Sequence, residues 1–134
     1  MKNSNLFLIS APSGTGKSTL INSVLDRAHK SKFPLELSIS YTTRKPRVGE
    51  TDSDHYFFIS PEEFARKKES SFFLEHAEVH GNWYGTSIEF VQSKLANGIS
   101  LILEIYVQGY RQINSLSLAY ESIFILPPSI QALE

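Results

Sequence analysis

The feature that most constrains this sequence is a glycine-containing loop between an apolar strand and a helix. The run from Leu6 to Ile9 predicts a short buried strand, and apolar residues recur at helical spacing from Lys17 to about His29. Glycines at 14 and 16 allow the loop to curl so that its backbone N–H groups point inward. A loop of this kind, in this position, is typical of the Walker A motif and predicts binding of nucleotide phosphates.

The individual residues of the loop fit this chemistry. Lys17 supplies positive charge to the β- and γ-phosphates, and the Ser18 hydroxyl is a ligand for Mg²⁺. The N-terminus of the helix adds its dipole at the same place. The predicted ATP phosphate-binding residues are Ala11, Pro12, Ser13, Gly14, Thr15, Gly16, Lys17, Ser18 and Thr19. The alternative is a glycine-rich turn that only caps an ordinary helix.

The remainder of the chain alternates between strand and helix patterns, which predicts an α/β fold with a parallel core sheet flanked by helices. Helix starts are indicated at Ser60-Pro61-Glu62-Glu63 and at a capping box from Thr86 to Glu89, and Gly98 ends the second of these helices. We expect core segments at 1–34 and 87–134, with a small strand-rich subdomain at about 35–86. The expected strands after the first lie at 35–41, 55–59, 73–80, 101–105 and 122–126.

Composition excludes several classes of protein. The 134 residues, 41% of them hydrophobic, are enough for one globular domain. The formal net charge of −1 leaves no excess of Lys and Arg for wrapping bulk nucleic acid. The absence of cysteine excludes disulfides, thiolate zinc sites and a cysteine nucleophile. With no apolar run near the roughly 20 residues of a membrane span and no signal-peptide pattern, we expect a cytoplasmic protein with neither a membrane nor a nucleic-acid partner.

Signatures of other phosphate-loop proteins are missing from the sequence. It contains no Asn-Lys-x-Asp segment of the kind that reads guanine in GTPases, no Asp-x-x-Gly switch and no Leu-Ser-Gly-Gly transporter signature. The short length and a basic loop at 42–54 favour a small-molecule kinase.

The basic loop offers a second phosphate site. Arg44 and Arg47 flank Pro46, which stiffens the loop, and two guanidinium groups held close together suit a phosphate monoester. Tyr56 lies just beyond and adds a hydroxyl. The alternative is a basic loop that is simply exposed to solvent.

Taken together, these segments resemble bacterial guanylate kinases over essentially the whole chain. The resemblance implies a P-loop nucleoside monophosphate kinase fold with a GMP-binding subdomain, and transfer of the γ-phosphoryl group of ATP to GMP with Mg²⁺. The segments that carry it are 10–18, 42–50, 55–58, 73–79, 81–86, 107–109 and 123–129.

The resemblance also implies roles for individual residues. It assigns catalysis to Lys17, Arg44 and Glu104, and the metal to Ser18. Family positions that match Arg44, Arg47, Tyr56 and Tyr84 hold the GMP phosphate, and those that match Ser40, Glu75 and Thr86 read the guanine. The full GMP-binding set is Ser40, Arg44, Arg47, Tyr56, Glu75, Tyr84, Gly85 and Thr86.

The guanine assignment agrees with elementary chemistry. Guanine presents N1–H and N2–H₂ donors on one edge, and a carboxylate such as Glu75 accepts from both. Adenine presents the wrong donor pattern, which leaves the buried carboxylate unpaired at a cost in free energy. The alternative for Glu75 is an exposed strand residue.

Two features depart from the family pattern. Tyr106 stands where family members carry Asp at the end of a central strand, so a neutral phenol replaces a compact charged acceptor. A helix start is indicated at Ser129, but only five residues follow, too few for a second turn of helix. We therefore expect the chain to be incomplete, without the arginine-rich lid and the final elements that the resemblance implies. The alternative is a frayed C-terminal tail. These departures leave open a catalytically impaired GMP-binding module, and the sequence does not indicate an oligomeric state.

Overall fold

The computed structural model describes residues 4–10, 17–54, 56–114 and 121–124. Within these ranges the chain forms four helices and eight strands, which build two four-stranded sheets. In chain order they are β1 (Leu6–Ser10), α1 (Lys17–Lys30), β2 (Leu35–Leu37), β3 (Ser40–Thr42), β4 (Tyr56–Phe58), α2 (Pro61–Glu69), β5 (Phe73–Val79), β6 (Asn82–Ser87), α3 (Ile88–Ala96), β7 (Ser100–Glu104), α4 (Val107–Asn114) and β8 (Glu121–Phe124).

The first sheet is the predicted parallel core. Its strand order is β2-β7-β1-β8, and all three strand pairs are parallel. Side chains that alternate along β1 and β7 face opposite sides of the sheet, so the two interior strands are apolar on both faces. The prediction of a parallel core sheet is confirmed.

Helices cover both faces of this sheet. On one face Leu8 and Leu103 pack with Val91 of α3 and Ile113 of α4. On the other face Ile9 and Ile102 pack with Ile21 of α1. These clusters contain fully buried side chains, such as Leu101 and Ile113 at 0% exposure.

The second sheet has the order β4-β3-β6-β5 and is mostly antiparallel. An aromatic cluster joins it to α2, because Phe64 stacks on Phe73 with ring centroids 4.5 Å apart. The sequence assigned the range of about 35–86 to a subdomain. Strands β3 to β6 form the second sheet in this range, whereas β2 pairs with β7 of the core sheet.

The prediction of one continuous strand over 35–41 is wrong. The chain forms two three-residue strands instead, and β2 pairs with β7 whereas β3 pairs with β4 and β6. Ser38 and Ile39 lie between them, where the chain leaves one sheet for the other. The alternation of apolar and polar residues continues through both strands, so it does not mark the break. The break is decided by the pairing partners of each strand, which are distant in sequence.

The two helix starts had different outcomes. The Ser60 start is confirmed, because the Ser60 hydroxyl accepts a hydrogen bond from the Glu63 N–H at 3.1 Å. The start at Thr86 is wrong, because Thr86 is buried in β6 and Ser87 caps α3 by accepting from the Phe90 N–H at 3.1 Å. Strand β6 itself was not predicted from the sequence.

Helix α3 ends as the sequence predicted. Asn97 caps it, and Gly98 follows with a φ of 80°. Such a left-handed conformation strains residues with a side chain and suits glycine.

Part of the C-terminal prediction falls outside the described residues. Strand β8 confirms the first part of the strand predicted at 122–126, and the helix predicted from Ser129 lies beyond. None of the helices in the ranges described above is long and apolar enough to cross a membrane.

Candidate functional site

The site lies at the carboxyl ends of the core strands. Strand β1 ends at Ser10 and α1 begins at Lys17, so the elements that flank the predicted phosphate loop are those the sequence indicated. Residues 11–16 lie outside the described residues, and the side chains of Lys17 and Ser18 do as well. Thr19 is exposed in the first turn of α1.

Glu104 lies at the same edge of the sheet. It is the last residue of β7 and pairs in register with Ile9, one residue before the end of β1. Ligands of open parallel α/β sheets bind beyond the carboxyl ends of the strands. The register therefore places Glu104 next to the strand that leads into the phosphate loop.

A cavity of about 650 Å³ opens between the two sheets. Its volume falls within the range of small-molecule sites. Five residues predicted from the sequence line it, and they come from both sheets. They are Ser40, Tyr56, Glu75, Tyr84 and Glu104.

Glu75 is the buried carboxyl group of this cavity. It is 5% exposed, and one of its oxygens accepts a hydrogen bond from the Thr86 hydroxyl at 2.5 Å. Burial raises the pKa of Glu75 to about 7, and the hydrogen bond from Thr86 opposes this rise. Near neutral pH the group is therefore divided between its neutral and charged forms, and a ligand that donates hydrogen bonds would favour the charged form.

Gly109 was noted in the sequence only as part of a matching segment, and the structure gives it a physical role. A Cβ atom at this position of α4 would collide with Oε2 of Glu75. The backbone of α4 therefore approaches Oε2 of Glu75, whereas Thr86 donates to Oε1. Nothing local in the sequence links these two residues, since they are far apart along the chain.

Arg44 lies beside the cavity and is paired. Its guanidinium group donates to both carboxylate oxygens of Glu50, at 2.9 and 3.0 Å, and lies 5.3 Å from the ring centroid of Tyr56. The hydrogen bond from Arg44, followed by the backbone N–H of Arg47, lowers the pKa of Glu50 to about 2. The same pairing raises the pKa of Arg44. Both groups therefore stay charged at all ordinary pH values.

Arg47, like Arg44, is not among the residues that line the cavity, and its side chain is exposed. Its backbone N–H donates to the Glu50 carboxylate at 2.8 Å. The charges of Arg44 and Arg47 both help to lower the pKa of Glu50, so the pairing of two guanidinium groups at one phosphate stays a prediction.

Three tyrosines, Tyr56, Tyr84 and Tyr106, form a row along the cavity. Ring centroids are 6.1 Å apart between the first two and 5.7 Å apart between the last two. Burial raises the pKa of Tyr56 and of Tyr106, so both are neutral phenols at neutral pH. Tyr106, which replaces the expected Asp, is 43% exposed and lines the cavity beside Glu104.

Gly85 serves packing in this structure. A Cβ atom at Gly85 would lie 2.7 Å from Cδ1 of Phe73, so the close contact between β6 and the Phe73 ring requires glycine.

Within the described ranges, no group of three or more His, Cys, Asp or Glu side chains is placed to hold a metal ion.

Comparisons with known proteins agree with this arrangement. A family model described as guanylate kinase matches residues 3–134. The chain belongs to the guanylate kinase family. The resemblance inferred from the sequence and the predicted fold class are confirmed.

Individual relatives give the same result. The chain is 50% identical over its whole length to a guanylate kinase of Hahella chejuensis, and 52% identical over 97% of its length to one of Methylobacillus flagellatus. A crystal structure of guanylate kinase from Anaplasma phagocytophilum superposes with a TM-score of 0.79, at 32% identity over 99% of this chain and 65% of that chain. The chain spans 62% of the length of the first two relatives.

Proposed function

We propose that this chain provides the GMP-binding and phosphate-loop parts of a guanylate kinase, which phosphorylates GMP to GDP with ATP. The observation that carries the proposal is the cavity, which is lined by a buried carboxyl group and tyrosines and has the Arg44 guanidinium group beside it. A nucleoside monophosphate has matching ends, since its base carries hydrogen-bond donors and its phosphate carries negative charge.

The proposed guanine end is formed by Glu75, Thr86 and Ser40. Glu75 in its carboxylate form accepts from N1–H and N2–H₂ of guanine, and Ser40 faces the same cavity. Because the Thr86 hydroxyl already donates to Glu75, its main contribution is to orient the carboxylate. This differs from the sequence-based expectation that Thr86 itself reads the guanine.

The proposed phosphate end is formed by Arg44, Tyr56 and Tyr84. These groups contact one another, and a guanidinium group is well suited to a phosphate through paired N–H donors. Arg47, whose side chain is exposed, remains a proposed contributor only through movement of its loop.

Phosphoryl transfer in such a site depends on positioning and on positive charge rather than on a general base. We assign Lys17 and Arg44 to the charge around the transferred group, on the ATP side and the GMP side respectively. We assign Glu104, which ends β7 beside β1, the role of orienting Lys17 or the water bound to Mg²⁺.

The residues present also fit Mg²⁺, which the family implies. The hydroxyl of Ser18 and the carboxylate of Glu104 are hard oxygen donors of the type that Mg²⁺ prefers. When bound, the ion would neutralise charge on the ATP phosphates.

A cytoplasmic location, where both nucleotides are available, stays a prediction.

The test is GMP-dependent release of ADP from ATP by the purified 134-residue chain, with AMP as the comparison acceptor. Turnover with GMP and not with AMP is the expected result. Equal turnover with AMP would overturn the proposed role of Glu75 in reading guanine.

A second candidate function is a GMP-binding module with impaired catalysis. Tyr106 favours it, because a bulky neutral ring occupies the cavity where the family carries a charged acceptor. Calorimetric binding of GMP without release of ADP would distinguish this function from the first.

A further inference from the structure

Glu50 is a residue to which neither the sequence nor the family comparison assigned a role, and it is the direct partner of Arg44. It lines the cavity, and its side chain is 19% exposed while that of Arg44 is 12% exposed. The two side chains form a bidentate pair at 2.9 and 3.0 Å. Pairs of this geometry combine charge with a fixed direction.

Glu50 is itself held in place by the loop. One of its oxygens accepts from the Arg47 N–H at 2.8 Å, and its own N–H donates to the Arg47 carbonyl at 2.9 Å. Gly49, with a φ of 87°, allows the tight turn that brings these groups together. The carboxylate is therefore anchored to the backbone and does not depend on Arg44 alone for its position.

The pairing still leaves Arg44 able to bind another anion. Glu50 and the Lys45 carbonyl accept three of its N–H groups. A guanidinium group has five N–H donors. The two that remain interact with the hydroxyls of Tyr84 and Tyr56, and a phosphate bound at this place would accept hydrogen bonds from the same three side chains.

We propose that Glu50 is a positioning residue that holds the Arg44 guanidinium in the orientation required for the phosphate of a nucleoside monophosphate. This inference rests on the proposed function. Without the carboxylate, Arg44 is a long flexible side chain above the Tyr56 ring, and a phosphate must then order it on binding. Because the backbone anchors Glu50, it acts as a fixed support for Arg44 and not as a competitor that phosphate displaces.

The test measures binding of GMP and of guanosine, which lacks the phosphate, by isothermal titration calorimetry. Variants of the full chain are Glu50→Ala, Arg44→Ala and the double variant. Asp26→Ala is the matched control, since it breaks an ion pair with Lys30 on the exposed face of α1. Glu50→Gln keeps the size of the side chain and decides the question if Glu50→Ala does not fold by circular dichroism.

We expect Glu50→Ala and Glu50→Gln to weaken GMP binding about tenfold or more, the effect of losing one charge-assisted hydrogen bond. Guanosine binding should stay unchanged, and the double variant should bind GMP no more weakly than Arg44→Ala. Unchanged or tighter GMP binding by the Glu50 variants would overturn the positioning role, and so would equal weakening of guanosine. Failure of the unaltered chain to bind GMP would instead refute the proposed function.

Discussion

Replacement of Glu75 by Gln should remove a large pH dependence of folding stability. The side chain keeps its size and its acceptor for the Thr86 hydroxyl, but it no longer ionises. The folded chain holds the Glu75 proton up to a pH of about 7, whereas a solvated Glu releases it near 4.5. Between these values the folded state binds one more proton than the unfolded state, so stability falls as pH rises.

The expected magnitude follows from the two pKa values. Since one pKa unit corresponds to about 1.36 kcal/mol, the rise from 4.5 to about 7 makes Glu75 contribute ~3 kcal/mol less stability above pH 7.5 than below pH 4.5. Such a loss is a substantial part of the roughly 5–15 kcal/mol that stabilises a domain. With a urea m-value of about 1–3 kcal/mol/M, it corresponds to a shift of about 1–3 M in the urea midpoint.

Urea unfolding followed by circular dichroism at pH 5 and pH 8 measures this effect. The free energy of unfolding of the unaltered chain should fall over this interval by more than that of Glu75→Gln, and the difference between them is the Glu75 contribution. Glu78→Gln, an exposed change on the same strand, should behave like the unaltered chain. Parallel pH dependences for all three chains would refute the account of Glu75 as a carboxyl group whose pKa is raised by burial.

Two further changes test the surroundings of Glu75 and the far end of the cavity. Gly109→Ala should destabilise the fold by about 1–3 kcal/mol, because the added methyl group meets the Glu75 carboxyl group; an unchanged thermal midpoint would contradict the close approach of α4. Tyr106→Asp should raise GMP-dependent release of ADP about tenfold or more, because a charged acceptor replaces a bulky ring in the cavity. Tyr106→Phe is its control and should leave the rate near that of the unaltered chain, whereas equal rates for all three chains would show that Tyr106 does not impair the site.

Much of the candidate site was predictable because its signals are short-range. The phosphate loop is a contiguous segment between a strand and a helix, and the structure has β1 and α1 on either side of it. The Ser60 start of α2 is equally local, since a cap and its N–H partner lie within one turn. The resemblance to guanylate kinases added Ser40, Glu75, Tyr84 and Glu104, all of which line the cavity.

The features that the sequence did not reveal depend on contacts between distant segments. The sequence alone determined the α/β class, the apolar core strands and the family. Only the tertiary structure decided that β2 and β3 join different sheets, that Ser87 caps α3 while Thr86 bonds Glu75, and that α4 approaches the same carboxyl group. The physical reason is that propensities and caps act within a few residues, whereas strand pairing, burial and the pKa of Glu75 depend on groups brought together only by folding.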